Sequence, residues 1–255
     1  MTDEDAIRAA AQTVAGADHA VALTGAGISA ESGVPTFRGD GGLWDRHDES
    51  DIHIRRFRAD PAGFWEDWLA FHDDAAIDDA APNPAHEALA RLESGGHLEA
   101  VLTQNVDGLH TAAGSETVIE LHGTHAIVEC PDCGGRFDAE PVYERVRDGD
   151  LPPNCEQCGG VLKPGSVLFG QQLPNLAVQR ANNHVRDCDC ILVVGTSLEV
   201  QPVGSMPRRA MDTGAEAIVV NPDGTPIDDR ATQVFHAPAG YVLPRIEAEV
   251  PDIDL

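Results

Sequence analysis

Four cysteines in two C-x₂-C pairs have the residue type and spacing of a metal site. Cys130 and Cys133 are separated by 21 residues from Cys155 and Cys158, and two glycines follow each pair. Four thiolates complete the tetrahedral shell of Zn²⁺ and leave no position for water, so the pattern predicts one structural Zn²⁺. A nucleic-acid-binding zinc ribbon is the alternative, but the segment between the pairs is acidic rather than basic.

Two further segments place polar groups directly after predicted strands. A buried strand over residues 98–103 leads into QNVD at 104–107, and a strand over 118–121 leads into His122. In open α/β sheets, ligands bind beyond the carboxyl ends of the strands. A neutral imidazole near pH 7 suits proton abstraction, and its place distinguishes His122 from the other histidines. For the amide and carboxylate of QNVD, a capped turn is the alternative.

A glycine-rich stretch over residues 21–39 has the pattern of a pyrophosphate site. An apolar run at 21–23 predicts a strand, GAG at 25–27 predicts a turn, and a helix is expected to begin near Ser29. Glycines let the backbone approach phosphates, and the free N–H groups at a helix start bind the anion. Taken alone, G-x-G-x-x-A fits an ordinary tight turn equally well.

The residues after Ser32 depart from a dehydrogenase pattern, which would continue with a helix, a strand and an acidic residue about 20 positions on. Instead a loop rich in glycine carries Phe37, Arg38 and Trp44. An arginine and two aromatic residues beside a phosphate site predict a lid over a ligand. A surface loop whose aromatic side chains pack inward is the alternative.

Taken together, these motifs resemble the sirtuins, the NAD-consuming protein deacylases. The matching segments are GAGISAESGVPTFRG from residue 25, TQNVDGLH from residue 103 and ELHG from residue 120. The resemblance implies removal of acetyl or another neutral acyl group from protein lysines, giving nicotinamide and O-acyl-ADP-ribose. It makes His122 the general base, Asn105 the group that orients the nicotinamide ribose or a water, and Asp107 the partner of the nicotinamide carboxamide.

The resemblance also implies which residues bind NAD and peptide. The NAD site would comprise Gly25, Ala26, Gly27, Ile28, Ser29, Ala30, Phe37, Arg38, Trp44, Gln104, Asn105, Val106, Asp107, Gly195, Thr196, Ser197, Asn221 and Ala239. The peptide would pair with Val167, Leu168, Phe169 and Gly170. Gln171 stands where the family usually has Glu, which leaves the peptide preference open.

The acyl preference follows from one departure in the predicted helix after Pro61. Trp65 and Trp68 stand at the positions where members that prefer malonyl- or succinyl-lysine carry Tyr and Arg. Without a guanidinium, a dicarboxylic acyl group loses its bidentate partner, so a neutral acyl group is favoured. Three arginines over residues 55–58 are close enough to keep the question open.

Alternating predicted strands and helices indicate an α/β fold, a doubly wound parallel (Rossmann-like) sheet with a smaller zinc-binding domain formed by insertions. The expected NAD-binding domain comprises residues 1–40, 82–126 and 164–255. The expected small domain joins a helical insertion, 41–81, to the zinc module, 127–163. A cleft between the two would hold NAD from one side and peptide from the other.

The charge of the chain is unusual. Its 255 residues include 43 acidic and 17 basic ones, for a formal net charge of −26, and Lys163 is the only lysine. Such a charge disfavours binding to nucleic acid or anionic membranes. Acidic, lysine-poor surfaces suit molar internal salt, where the Debye length is only about 3 Å, so we expect a halophilic source. Without a leader or an apolar run near ~20 residues, we expect a cytoplasmic protein.

Two other functions are compatible with the same motifs. An ADP-ribosyltransferase would use the same NAD site with a protein side chain as acceptor. A noncatalytic module would recognise acylated proteins through its zinc site and sheet edge, although the set Asn105, Asp107 and His122 exceeds what binding needs. The sequence leaves the protein substrates and the oligomeric state open.

Overall fold

The computed structural model describes residues 3–37 and 41–251, which form two β-sheets with helices packed around them. The strands of the larger sheet are β1 Ala20–Thr24, β2 Ala100–Thr103, β3 Val118–Glu120, β7 Cys190–Val194, β8 Glu216–Val220 and β9 Gln233–Phe235. Those of the smaller sheet are β4 Ile127–Glu129, β5 Arg136–Asp138 and β6 Lys163–Pro164. The helices are α1 Asp3–Gly16, α2 Ile54–Ala59, α3 Pro61–Ala75, α4 Pro84–Ser94, α5 Leu109–Ala112, α6 Ala139–Arg147, α7 Asn175–Asp187, α8 Met206–Asp212 and α9 Ala239–Glu249.

The larger sheet is parallel throughout and has the strand order β3-β2-β1-β7-β8-β9. Chain order therefore reverses between β1 and β7, the point at which doubly wound sheets bind their ligands. The predicted fold class is confirmed.

Alternating apolar residues cover both faces of this sheet. Ala22 and Leu192 face one core, whereas Leu23 and Val193 face the other, because successive side chains of a strand point to opposite sides. Helices α1, α4 and α9 bury their apolar faces in the first core, and α7 and α8 cover the second. Strands buried on both faces form the rigid base for the loops that follow them.

The smaller sheet, order β5-β4-β6, packs with α2, α3 and α6 around an aromatic core. Helix α3 begins as its sequence predicts: the Asp60 carboxylate accepts from Gly63 N at 3.1 Å, and Pro61 occupies the first turn. Trp65 is fully buried and its indole N–H donates to Leu162 O at 2.9 Å. This bond joins α3 to the zinc module, while the exact domain boundaries stay a prediction.

Among the described residues, no helix combines the length and the apolar character that spanning a bilayer requires.

Candidate active site

The loops after β1 and β7 touch through glycine. Gly27 N donates to Gly195 O at 2.8 Å, and Gly195 N donates to Val220 O at 2.9 Å at the end of β8. A Cβ on Gly27 would lie only 2.8 Å from Gly195 Cα, and one on Gly25 would lie 2.8 Å from Thr196 Cβ. Glycine is therefore required here for the contact between two loops at the switch point of the sheet.

Gly195 should be the least replaceable of these glycines. Its φ is 61°, a left-handed conformation, and a Cβ there would collide with Ile28 N. Gly195→Ala should lower the free energy of unfolding by at least about 2 kcal/mol, measured by urea denaturation. The control is Gly114→Ala, which has φ 103° and nothing within 4 Å of its Cβ, so it tests the backbone strain alone. Equal losses in both variants would contradict the packing argument.

The loops after β2 and β3 join the same edge. Gln104 N donates to Thr24 O at 3.0 Å, and Gln104 Nε2 donates to Thr196 Oγ1 at 2.9 Å. The His122 ring lies 2.9 Å from Gln104 O through Nδ1. Four loops from distant parts of the chain are thereby connected by direct hydrogen bonds.

Two backbone N–H groups at this edge are free to bind an anion. Within the described ranges, the N–H groups of Thr196 and Ser197 donate to no protein acceptor. Directly after the neighbouring strand β8, Asn221 is buried, and its Nδ2 donates to Asp223 O at 2.8 Å. Ala239, also buried, begins α9. Unpaired N–H groups at a glycine turn suit phosphate oxygens.

A buried polar network lies beneath these loops. The Ser29 hydroxyl donates to Asp107 Oδ2 at 2.7 Å and accepts from Asn105 Nδ2 at 3.0 Å. The second oxygen of Asp107 accepts from Leu109 N at 3.0 Å, and Asn105 N donates to Thr103 Oγ1 at 3.0 Å. Asp107 thus does cap a turn, through Leu109 N, whereas the Asn105 side chain caps none and donates to Ser29. The bonds to Ser29 fix both side chains beside it.

The predicted helix near Ser29 is wrong. Two single 3₁₀ turns, Ala26–Ile28 and Ala30–Ser32, stand there instead. The Ser29 side chain points inward to Asp107. Gly33, the residue after the second turn, has the left-handed φ of 87°, which ends the helical geometry.

His122 is held in one orientation by its backbone partner. Because Gln104 O can only accept, Nδ1 carries the proton and Nε2 has its lone pair free. Burial lowers the pKa of His122, while the bond to Gln104 raises it in part. The neutral imidazole is therefore the form present near pH 7, as a base requires.

The segment expected to bind peptide runs between two other elements. Val167 N donates to His122 O at 2.8 Å, and Phe169 O accepts from Ile54 N at 2.9 Å. The Gln171 side chain folds back, and its Oε1 accepts from Leu168 N at 3.2 Å. Gly170 follows with φ 75°. The segment is thus fixed beside His122. The backbone N–H of Leu168 is occupied by the side chain of Gln171 from the same segment.

The aromatic residues of the predicted lid pack inward. Trp44 lies 5.5 Å from Phe37, 5.7 Å from Phe71 and 5.5 Å from Phe169, measured between ring centroids. Leu43 N donates to Thr36 O at 2.9 Å, which ties the two described ends of the loop together. Arg38 lies outside the described residues, so the lid stays a prediction.

The four predicted zinc ligands come together. Their sulfur atoms all lie within 4.8 Å of one another, with Cys130 Sγ to Cys158 Sγ at 3.5 Å and Cys133 Sγ to Cys155 Sγ at 3.8 Å. A tetrahedron with Zn–S bonds of about 2.3 Å has edges of about 3.8 Å. Each pair forms the same tight turn, since the backbone N–H four residues after its first cysteine donates back to that cysteine's carbonyl. The donor set fits Zn²⁺.

Comparison with known proteins decides the family. Residues 25–202 match the Sir2 family. The chain belongs to the Sir2 family. It is 52% identical over 246 residues to an NAD-dependent protein deacetylase of Haloarcula marismortui, covering 96% of this chain and 94% of that protein. It is 43% identical to NAD-dependent protein deacylase 2 of Archaeoglobus fulgidus, covering 97% of each.

Solved Sir2 structures share the whole fold. A Sir2 homologue in complex with NAD superposes with a TM-score of 0.85 at 40% identity, covering 98% of this chain and 94% of that one. A Sir2 enzyme with a deacetylated p53 peptide and 3′-O-acetyl-ADP-ribose has a TM-score of 0.89 at 33% identity, covering 95% of this chain and 98% of that one.

Two buried histidines of this Sir2 chain, His86 and His110, were not predicted from the sequence to belong to the site. The His86 ring lies beside Ser29, with Nε2 3.4 Å from its hydroxyl, and Asn83 N donates to Nδ1 at 3.3 Å. His110 Nε2 lies 2.9 Å from Thr24 Oγ1, and the two imidazoles meet edge to face at 4.8 Å. His110 belongs to the TQNVDGLH motif and His86 follows the Asn-Pro helix start, which were the available signals.

The two histidines should make the protein acid-sensitive. Burial lowers the pKa of His86 to about 4 and that of His110 to about 3. Unfolded histidine titrates near 6.5, so the unfolded state binds more protons between these values. The free energy of unfolding should stay constant above pH ~6.5 and fall as the pH drops toward 4. Urea denaturation from pH 8 to 4.5 checks this, and His86→Gln should show a shallower fall. An unchanged slope in that variant would contradict the role of His86.

Trp65 and Trp68 are both core residues. They are 0% and 5% exposed, and the Trp68 indole N–H lies 3.4 Å from the Tyr143 hydroxyl. Arg56, one of the arginines considered near this helix, is engaged with Asp60 and Asp67. The acyl preference that rests on these positions stays a prediction.

Proposed function

We propose that this chain uses NAD to remove acetyl or other neutral acyl groups from protein lysines, giving nicotinamide and O-acyl-ADP-ribose. The observation that carries the proposal is the set of hydrogen bonds from Gly27 to Gly195, from Gln104 to Thr196 and from His122 to Gln104. These bonds hold an oriented base beside a phosphate-type turn at the switch point of the sheet. Deacetylase and deacylase names among the Sir2 relatives support the same reaction.

The NAD site combines the groups described above. The unpaired N–H groups of Thr196 and Ser197, with the turn at residues 25–27, bind the diphosphate. Asn221 and Ala239 bind the adenosine end. Asp107, held by Ser29 and Leu109, accepts from the carboxamide of nicotinamide. Bound NAD supplies an electrophilic ribose carbon when its nicotinamide leaves.

His122 takes the proton of a ribose hydroxyl. Its Nε2 is the accepting atom, because Nδ1 is committed to Gln104 O. The acyl oxygen of the substrate would bond to the ribose carbon as nicotinamide leaves, and the deprotonated hydroxyl oxygen would then attack the acyl carbon. Cleavage of the bond from that carbon to the lysine nitrogen, with addition of water, would release lysine and leave the acyl group on ADP-ribose. Asn105 orients the ribose or an adjacent water, and its amide is fixed for this by the bond to Ser29.

The acylated peptide adds as an extended strand beside residues 167–170. Leu168 N becomes available when the Gln171 side chain releases it. Because Gln171 carries no charge, binding should depend little on the charge of the peptide residue opposite. The partner is thus an acylated protein segment, and neither nucleic acid nor membrane is part of the proposal.

A panel of acylated peptides tests the proposal. Matched acetyl-, propionyl- and succinyl-lysine peptides should give NAD-dependent deacylation for the first two, with succinyl the poorest by at least about 10-fold. The reason is that Trp65 and Trp68 offer no guanidinium to a second carboxylate. A preference for succinyl would overturn the acyl assignment, and no NAD-dependent deacylation of any peptide would overturn the function.

Salt dependence tests the proposed halophilic source. With a net charge of −26, self-repulsion should destabilise the fold at low ionic strength and be screened above ~1 M salt. The melting temperature and the deacetylation rate should both fall on dialysis from 2–3 M to about 0.1 M KCl. Full activity and an unchanged melting temperature at low salt would remove this part of the proposal. The cytoplasmic location stays a prediction.

A further inference from the structure

Two histidines and an aspartate, residue types that can ligate metals, lie together away from the cysteines. His72 is at the end of α3, Asp78 is in the loop that follows, and His125 lies between His122 and β4. His72 Nε2 is 3.7 Å from Asp78 Oδ1, and His125 Nε2 is 3.9 Å from the same oxygen. One carboxylate oxygen therefore faces two imidazole nitrogens from different parts of the chain.

The burial of His72 needs an explanation. The residue is 3% exposed, and neither ring nitrogen has a hydrogen-bond partner among the described residues. Its ring packs edge to face on Tyr143, with centroids 4.6 Å apart. A buried polar group without a partner destabilises the fold, so a ligand that completes it would be stabilising.

The separations suit a metal better than hydrogen bonds. At 3.7 and 3.9 Å, the nitrogens are too far from Asp78 Oδ1 for a hydrogen bond. Two ligand atoms that share a metal at about 2.1 Å lie roughly 3–4 Å apart. The ring centroids of His72 and His125 are 6.0 Å apart. Unlike the four cysteine sulfurs, the three ligand atoms do not all lie within 4.8 Å of one another, so binding must draw the two imidazoles together around Asp78.

His125 is already oriented as a ligand. Its Nδ1 bonds to Val106 O, which places the free lone pair on Nε2, the atom that faces Asp78. Metal-binding histidines usually have such a backbone partner on the other nitrogen. His72 Nδ1 has no such partner: the Asp73 carboxylate, at 3.9 Å, is beyond hydrogen-bond distance and is paired with Arg147. Burial also lowers the pKa of His72, which favours the neutral, ligating form.

We propose that His72, Asp78 and His125 form a second metal site, which takes Zn²⁺ or a similar divalent transition-metal ion. Two imidazoles and one carboxylate leave at least one position for water, unlike the four thiolates. The ion would join the loop after α3 to the segment that connects His122 with β4. It would therefore link the small aromatic core to the edge of the large sheet.

Cobalt titration tests the proposal on the zinc-loaded protein. Loosely bound metal is removed with a mild chelator, retention of the cysteine zinc is verified by metal analysis, and Co²⁺ is added in 2 M KCl, where screening suppresses diffuse binding to the acidic surface. The wild type should bind one further equivalent, with weak visible absorption and no thiolate charge-transfer band. Isothermal calorimetry gives the stoichiometry and affinity.

The decisive variant is Asp78→Asn, because the Asp78 carboxylate is half exposed and its replacement should not disturb folding. It should lower the affinity for the further equivalent of Co²⁺ by at least about 10-fold. Even loss of an outer-sphere partner costs that much, and Asp78 is proposed as a direct ligand. Asp79→Asn is the matched control, since Asp79 is the exposed neighbour and should bind like the wild type. The proposal is overturned if the wild type binds no further equivalent, or if both variants bind equally.

Discussion

Replacing His122 with alanine should lower the deacetylation rate by about 10²- to 10⁴-fold, the usual contribution of a positioned general base. The His122 imidazole is hydrogen-bonded to Gln104 O through Nδ1, which leaves Nε2 to accept a proton. The KM for NAD should change much less than kcat, since the phosphate-type turn is formed by other loops. The measurement is the initial rate of release of deacetylated peptide at molar salt.

His97→Ala is the control for this variant. His97 lies on the loop before β2, outside the proposed site, and its ring bonds to Pro251 O. Its replacement should leave the deacetylation rate within about twofold of the wild type. Full turnover in His122→Ala would remove this residue from its proposed role. A loss of equal size in both variants would indicate destabilisation instead.

The pH profile of the wild type adds an independent check. Because burial lowers the pKa of His122, kcat/KM should be flat from neutral pH down to below 6.5 and fall only as the pH drops further. Rates must be corrected for the acid unfolding expected from His86 and His110. A rate that rises on acidification would indicate that a protonated group is needed instead.

Loss of the cysteine metal should have the largest effect on stability. Structural Zn²⁺ contributes an apparent ~10–16 kcal/mol in small zinc peptides at pH 7, which is as large as the whole stability of a typical domain. The variant Cys133→Ser removes one of the four sulfur ligands, so the remaining three thiolates no longer complete the tetrahedral shell of the ion. It should lose its bound zinc, and the smaller sheet with its aromatic core should unfold.

Metal analysis and circular dichroism measure both parts of this expectation. Cys188→Ala is the control, because Cys188 is buried outside the cluster and its replacement should leave the cysteine zinc in place. If Cys133→Ser kept its zinc, or lost it without a lower melting temperature, the metal would not be structural.

Much of the large sheet could be predicted because its central strands are apolar on both faces. The five residues of β7, for example, are all apolar and all buried, and Gly195 follows directly. The cysteine turns were predictable for a similar reason, since spacing alone defines a C-x₂-C site. In both cases a local pattern contains the whole constraint.

The sequence was less informative where contacts between distant residues determine the local structure. Strands β4 and β5 have three residues each, too few to show a period, and they exist through pairing with each other. The failed helix near Ser29 has the same origin, since Asp107 binds that side chain from 78 residues away. Likewise, the network around His86 and the cap on Leu168 depend on partners that only the folded chain brings together.

Product analysis tests the central claim most directly, that the loops after β1, β2, β3 and β7 hold one dinucleotide with His122 facing its ribose. The protein, NAD and an acetyl-lysine peptide are incubated at molar salt, and all products are quantified by mass spectrometry. Deacetylated peptide, nicotinamide and O-acetyl-ADP-ribose are expected in equal amounts. Free acetate formed without nicotinamide, or ADP-ribose attached to protein in place of the acetyl ester, would contradict that claim.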